Sequence, residues 1–213
     1  YTTLFRSWVD SSMQLLFVSQ NAGKIAEAQR IFLHSRHQLI TLDQKSWLKK
    51  QGITIPDNFV VAESGSTFRE NALLKAQAFH QLTKLPCIAD DSGLLLAAFP
   101  NFPGVNSHRW FNGNDAERNL ALLRKLAQVE NRRAKFQTVL CLFAFKQEPL
   151  YFSGEVEGTI AFTSLGQEGF GYDPIFIPDG YQKTFAQLGV KVKNTISHRA
   201  LAWQSLFSYL ENS

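Results

Sequence analysis

Apolar positions along the chain follow two rhythms. Residues 14–19 (QLLFVS) form a short run of β-capable residues closed by Gln20-Asn21-Ala22-Gly23, which predicts a strand ending in a tight loop. From 24 to 33 the apolar residues fall at Ile25, Ala28, Ile31 and Phe32, the spacing of a helix face. Residues 64–67 read as a loop with a helix cap at Ser64 or Thr67, and 68–82 as a helix with Ala72, Leu73, Ala76 and Phe79 inward. A brief buried strand is predicted over 86–89; then come Asp90-Asp91-Ser92-Gly93, read as a polar turn or a ligand loop, and an apolar run over 94–98. A third helix is expected over 115–128, capped by Asp115. Residues 136–145 (FQTVLCLFAF) predict a long interior strand with 151–160 as its hairpin partner. Gly166 to Asp173 is too rich in glycine to be other than loop, and 197–210 is an amphipathic helix. Strands alternating with helices early, and hairpin strands in the middle, indicate an α/β fold with a mixed sheet.

Composition narrows the class. The chain has 213 residues, 45% hydrophobic and 19% charged, which is ordinary globular usage rather than disorder. The 18 phenylalanines indicate bulky packing. A net charge of +4 suits an anionic ligand, but the tightest basic cluster is only Arg132, Arg133 and Lys135, too thin for a duplex-binding stripe. Cys87 and Cys141, far apart in sequence, read as small buried hydrophobes in a reducing compartment. No apolar run is long enough to span a bilayer, so the cytoplasm is the expected location. Residues 1–12 precede the only methionine, Met13, and are read as an upstream extension; 13–213 are expected to form a single domain.

Polar and glycine residues interrupt the apolar runs at several places where loops leave a sheet, the usual position of ligand sites in α/β proteins. In Ser19-Gln20-Asn21-Ala22-Gly23-Lys24, backbone N–H groups at a helix start can receive phosphate oxygens, with Lys24 adding charge; an ordinary helix cap explains the same residues. Glu63, on a loop before Thr67 and Glu70, can ligate a hard cation or belong to a capping arrangement. Asp90 and Asp91 directly follow an apolar strand. Two carboxylates there are costly unless solvated, paired or bound to metal, and one can orient a water for attack on phosphorus. Phe170, flanked by glycines in GFGYDP, can stack on a flat ring while Asp173 is held extended before Pro174. Lys193, His198 and Arg199 surround a helix start and can clamp phosphate or reach a base edge.

Together these segments resemble the inosine triphosphate pyrophosphatase family, the non-standard purine nucleoside triphosphate pyrophosphatases. SQNAGK, SGSTFRENALLKA, IADDSGL, PGVNSHRW, GFGYDPIF and ISHRA occur in the family's order from about Gln14 to the last helix. The resemblance implies an elongated mixed β-sheet with flanking helices, two lobes around a central nucleotide cleft, Mg²⁺ as cofactor and a homodimer. By the family's pattern Ser19, Gln20, Asn21, Ala22, Gly23 and Lys24 cradle the triphosphate. Asp91 is the general base and a metal ligand, and Ser92 contacts substrate. Phe170, Gly171, Tyr172 and Asp173, with Lys193, His198 and Arg199, complete the purine and phosphate pocket. The chain departs from the pattern at Ala62, where the family carries a metal-binding glutamate, which leaves Glu63 as the nearby substitute.

The expected reaction is hydrolysis of ITP, dITP or XTP to monophosphate and pyrophosphate, with Mg²⁺ neutralising phosphate charge and no covalent nucleophile. Two rivals stand beside it: a Maf-like pyrophosphatase of pyrimidine or methylated nucleotides, and a nucleotide binder without activity.

Overall fold

The computed structural model describes residues 12–213. The expectation about residues 1–12 lies, Ser12 apart, outside the described residues. In chain order the elements are β1 (Gln14–Phe17), α1 (Ala22–Phe32), β2 (Gln38–Thr41), α2 (Lys45–Lys50), α3 (Phe68–Thr83), β3 (Cys87–Leu96), β4 (Phe99–Pro103), a 3₁₀ turn (Gly104–Asn106), α4 (Asp115–Lys125), β5 (Arg133–Phe143), β6 (Leu150–Ile160), β7 (Phe176–Pro178), α5 (Phe185–Ile196) and α6 (His198–Glu211). The strands form one sheet in the order β2-β1-β3-β5-β6-β7, with β4 paired to β3. β1 runs parallel to β2 and β3, and the remaining pairings are antiparallel. The fold is therefore a mixed α/β sheet with helices on its faces, as the alternation of patterns predicts.

Side chains alternate along a strand, and β3 shows the consequence. Ile88 packs with Leu15, Phe17, α1 and α6 on one face, while Cys87 and Ala89 pack with Leu16, Val18 and α3 on the other. Further along, Leu94 and Leu96 join a third apolar cluster with α4, β7 and α5. Asp90 to Gly93 lie at the seam between these cores. A polar seam joining apolar lobes is where the cleft opens.

Two expectations need correcting. Asp90-Asp91-Ser92-Gly93 are not a turn: β3 continues through them, paired in register with Leu140, Val139, Thr138 and Gln137 of β5. Cross-strand pairing satisfies their backbone and overrides the local turn preference. Asn114, not Asp115, caps α4. Its side chain accepts from Glu117 N, and Glu117 bonds back to Asn114 N, a reciprocal box that satisfies two free helix donors. Lys193 lies in the last turn of α5, an element not read from the sequence, which ends just before α6, so it meets His198 and Arg199 at the entry to α6 as expected. α5 is broken at Gly189, whose φ of 80° requires glycine. Thr67 caps α3 with Glu70 as its box partner, one of the two caps read from the sequence.

Candidate active site

β1 delivers the chain to the start of α1. Asn21 caps that helix by accepting from Lys24 N at 3.0 Å, and Ser19 Oγ accepts from Asn21 N at 3.2 Å. The Ala22 and Gly23 N–H groups then have no partner within the helix, and no acid occupies the first turn. Such a terminus favours an anion. A Cβ on Gly23 would come within 3.2 Å of the Phe170 ring, so glycine lets this loop and the GFGYD loop approach each other.

Lys24 does not project freely. Its Nζ donates to Asp90 Oδ2 at 2.6 Å. Burial alone would raise the Asp90 pKa, but the charges of Lys24, Lys75 and Arg199 outweigh it and hold the group at about 2. Asp90 is therefore a fixed anion, and a cavity of about 240 Å³ is lined by it together with Asn21, Lys24 and Lys75.

Asp91 turns to the α3 face. Its Oδ2 accepts from Asn71 Nδ2 at 2.9 Å and its Oδ1 from Ser92 N at 2.9 Å. Burial is the main force raising its pKa; the Asn71 hydrogen bond and Lys75 oppose it, Glu63 and Asp90 add to it, and the result is about 6. A carboxylate poised there can accept a proton near neutrality. Lys75 Nζ bonds Glu63 Oε1 at 2.5 Å and the Asp90 carbonyl at 2.8 Å. Desolvation would lower its pKa, but Asp90, Glu63 and Asp91 raise it, so it stays charged. Asn71 and Lys75 are four residues apart on α3, hence on one helix face. In the sequence both are polar positions of a helix whose visible signal is its apolar spacing.

The third part lies where β3, β5, the GFGYD loop and the start of α6 meet, around a small cavity lined by Ser92, Gly93, Phe136, Phe170 to Asp173, Lys193, His198 and Arg199. Lys193 Nζ bonds Asp173 Oδ2 at 2.5 Å and lies 4.3 Å from the Phe170 ring centre; the Arg199 guanidinium lies 5.2 Å from the same ring. His198 stacks on Phe136 with centres 4.6 Å apart and planes 9° apart. Burial, then the charges of Arg199, Lys193 and Lys24, push its pKa well below the ordinary value, so the imidazole is neutral and carries one N–H. Arg199, charged and next to the neutral His198 in the first turn of a helix, opposes the helix dipole. Both are buried there, a local rule broken where a site needs donors. His198 Nδ1 and Arg199 Nε have no partner among the described residues.

Residues outside the expected set hold this pocket in shape. Asp115 accepts from Gly171 N at 2.7 Å and Asn119 donates to Gly171 O at 2.9 Å. Trp110 donates to Tyr172 Oη, which donates to Ser107 O, so the PGVNSHRW segment braces the glycine loop. Glu168 accepts from Val190 N at 3.1 Å and thereby caps the half of α5 that carries Lys193. The expected phosphate-loop and purine-pocket residues gather around the seam at β3. Asp91 stands on the opposite face of that strand from the Lys24–Asp90 pair, and the sequence assigned no role to Asp90.

The Ham1 family profile matches residues 15–209. The chain belongs to the Ham1 family. Among its relatives, the dITP/XTP pyrophosphatase of Aquifex aeolicus is 37% identical over 211 residues, covering 94% of this chain and 98% of the relative. The dITP/XTP pyrophosphatase of Coxiella burnetii is 39% identical over 204 residues, covering 93% and 96%. The solved HAM1 protein from Coxiella burnetii superposes with a TM-score of 0.83 at 38% identity, covering 94% of this chain and 100% of that one. The Ham1 protein of Staphylococcus aureus gives 0.80 at 37%, covering 93% and 98%. The relatives' names point to purine substrates and give no support to the pyrimidine reading.

For this Ham1 chain the resemblance implies Mg²⁺, and the donor set can be tested. No cluster of three or more His, Cys, Asp or Glu side chains exists among the described residues. Glu63 is nonetheless close enough to Asp91 for its charge to raise the Asp91 pKa. Mg²⁺ is commonly held by one or two carboxylates, with phosphates and waters completing its shell. Two acids match that number, and Glu63 would have to give up its pairing with Lys75 to serve as a ligand. No helix among the described residues is long and apolar enough to cross a membrane.

Proposed function

We propose that this chain hydrolyses non-standard purine nucleoside triphosphates (ITP, dITP, XTP) to the monophosphate and pyrophosphate. The observation that carries the reading is the Asp91 carboxyl, raised to about 6, oriented by Asn71 and within the field of Lys75, the lysine that walls the neighbouring cavity together with Lys24, Asp90 and the start of α1. The dITP/XTP pyrophosphatases among its relatives support it.

In this reading residues 13–213 act as one two-lobed unit. Backbone N–H groups of Ala22 and Gly23, with Ser19, Gln20 and Asn21 beside them, receive the phosphate tail, and Lys24 and Lys75 set its charge environment. Asp91 orients water and takes its proton as oxygen attacks the innermost phosphorus. Mg²⁺, held by Asp91 and Glu63 when bound, supplies positive charge against the phosphate oxygens. Phe170 stacks on the base, and Tyr172 and Asp173 keep the loop in place. The neutral His198 and the fixed Arg199 offer donors to a 6-oxo group. Adenine presents an amino donor there, and the mispairing costs on the order of 1–3 kcal/mol. The resemblance further supports a homodimer working in the cytoplasm; Phe162, 82% exposed, is apolar surface that a second copy would cover.

The test is pyrophosphate release across ITP, XTP, dITP, ATP and GTP, with and without Mg²⁺. Release from the first three that requires Mg²⁺ is expected. Equal release from ATP, or tight ITP binding with no release, would refute the reading.

A further inference from the structure

Beyond the phosphates the cleft does not end. The cavity around Lys24, Lys75 and Asp90 shares Ser19, Gln20, Leu42 and Phe79 with a larger one of about 570 Å³. This third space thus continues directly from the phosphate chamber, while the base pocket at Phe170 and His198 comes beside that chamber's other side, where Gly23 meets the Phe170 ring. Its position is that of whatever follows the last phosphate of the substrate.

The third chamber is not built for more phosphate. Its walls are mainly apolar, with Ile25, Leu48, Ile53 and Ile55 inside and Lys45 and Lys49 of α2 at the side. Lys45 is already held by Asp57 at 2.9 Å, whereas Lys49 pairs with no carboxylate among the described residues. A hydrated terminal phosphate gains nothing from aliphatic walls. A flat group with a large apolar face does, and the volume lies within the range of small-molecule pockets. Its connection to the phosphate chamber through Ser19 and Gln20 requires that group to be joined to the substrate through phosphate.

We infer that the chain also accepts dinucleoside polyphosphates, with a 6-oxopurine nucleoside in the base pocket and the second nucleoside in the third chamber. The inference rests on the function proposed above and uses the same chemistry. Water oxygen bonds to the phosphorus nearest the first nucleoside, the bond from that phosphorus to its bridging oxygen breaks, and Asp91 takes the water proton. The bridging oxygen leaves with the second nucleoside's phosphate chain. For two inosines joined 5′ to 5′ through four phosphates, substrate plus water gives IMP plus ITP, and ITP is then a substrate in its own right.

The experiment compares ITP with diinosine tetraphosphate, using the full chain, Mg²⁺ and ¹⁸O-labelled water, with products followed by mass spectrometry. The tetraphosphate is expected to yield ¹⁸O-labelled IMP and unlabelled ITP in equal initial amounts, with kcat/KM within about tenfold of that for ITP. Ile55→Trp fills the third chamber without touching the phosphates. It should cut tetraphosphate kcat/KM at least about tenfold and leave ITP within about twofold. Thr54→Trp, at an exposed position on the chamber wall, repeats the comparison should Ile55→Trp melt early. Cleavage of ITP with the tetraphosphate untouched would overturn the inference, as would equal tetraphosphate cleavage by the wild type and a folded chamber variant. Label in ITP instead of IMP would overturn it too, by showing attack at the wrong phosphorus. A chain that cleaves neither compound would overturn the proposed function itself.

Discussion

Asp91→Asn separates catalysis from stability, and the structure gives both directions. Asp91 is 8% exposed, and its carboxyl is raised from the ordinary 3.8 to about 6. The native state therefore holds this proton more tightly than the unfolded chain. Native stability is lost as pH climbs from about 4 through about 6, by roughly 3 kcal/mol in total. Asparagine does not titrate and escapes that loss. It can still accept from Asn71, but its amide N–H₂ must replace the oxygen that accepts from Ser92 N, a mismatch of about 1 kcal/mol. The net expectation at pH 8 is a variant more stable by ~2 kcal/mol, or a Tm higher by ~4–8 °C for a chain of this length. Below pH ~4 the advantage vanishes. Pyrophosphate release from ITP should fall by about 10²–10⁴-fold, the usual worth of a general base, while ITP binding stays measurable by calorimetry. Thermal melts of chelator-treated protein at pH 4 and pH 8 read the stability arm free of metal. Wild-type turnover would remove Asp91 from the chemistry, and a Tm difference that ignores pH would refute the burial argument.

Two further outcomes follow from charge pairing and capping. Lys24→Met leaves Asp90 buried with only Lys75 and Arg199 nearby, so urea unfolding should show a loss of about 3 kcal/mol, and adding Asp90→Asn should recover most of it; no recovery would mean the two are not coupled. Glu168→Ala removes the cap on the half-helix bearing Lys193. It should raise the KM for ITP about fivefold with kcat little changed, and Glu168→Gln should restore part of the loss; a fall in kcat alone would contradict a positioning role.

The long elements were legible because their signal is local. α3 and α6 each bury a continuous helical face, β5 holds an apolar run long enough to exclude other readings, and β6 follows it after a short connection as its hairpin partner. The elements missed are short or owe their form to neighbours. β2 and β7 have four and three residues and exist because an adjacent strand pairs with them. α5 is interrupted by Gly189 and depends on Glu168 from a distant loop to restart. The site divides the same way. Ser19 to Lys24, the GFGYD loop and His198-Arg199 were found as polar or glycine interruptions of apolar runs. Asn71, Lys75, Asp115 and Asn119 sit within helices whose polar positions look like ordinary solvated faces. Only folding shows that those faces meet Asp91 and Gly171.

The two adjacent acids show why one turn of chemistry could not be read from two letters. Consecutive side chains of a strand point to opposite faces, so placing Asp90-Asp91 inside β3 rather than in a turn assigns them to different surroundings by geometry alone. Asp90 receives Lys24, with Lys75 and Arg199 near, and is held at about 2; Asp91 receives one neutral amide and the neighbouring charge of Glu63, and rises to about 6. A permanent anion that fixes Lys24, and a carboxyl that titrates near neutrality, thus come from one residue type at consecutive positions. Because Lys75 touches both sets, through the Asp90 carbonyl and Glu63, it links the charge on one face of the strand to the charge on the other. The strand's two-residue period accordingly separates an acid held ionised from one that titrates near neutrality, yet keeps both within reach of a single lysine.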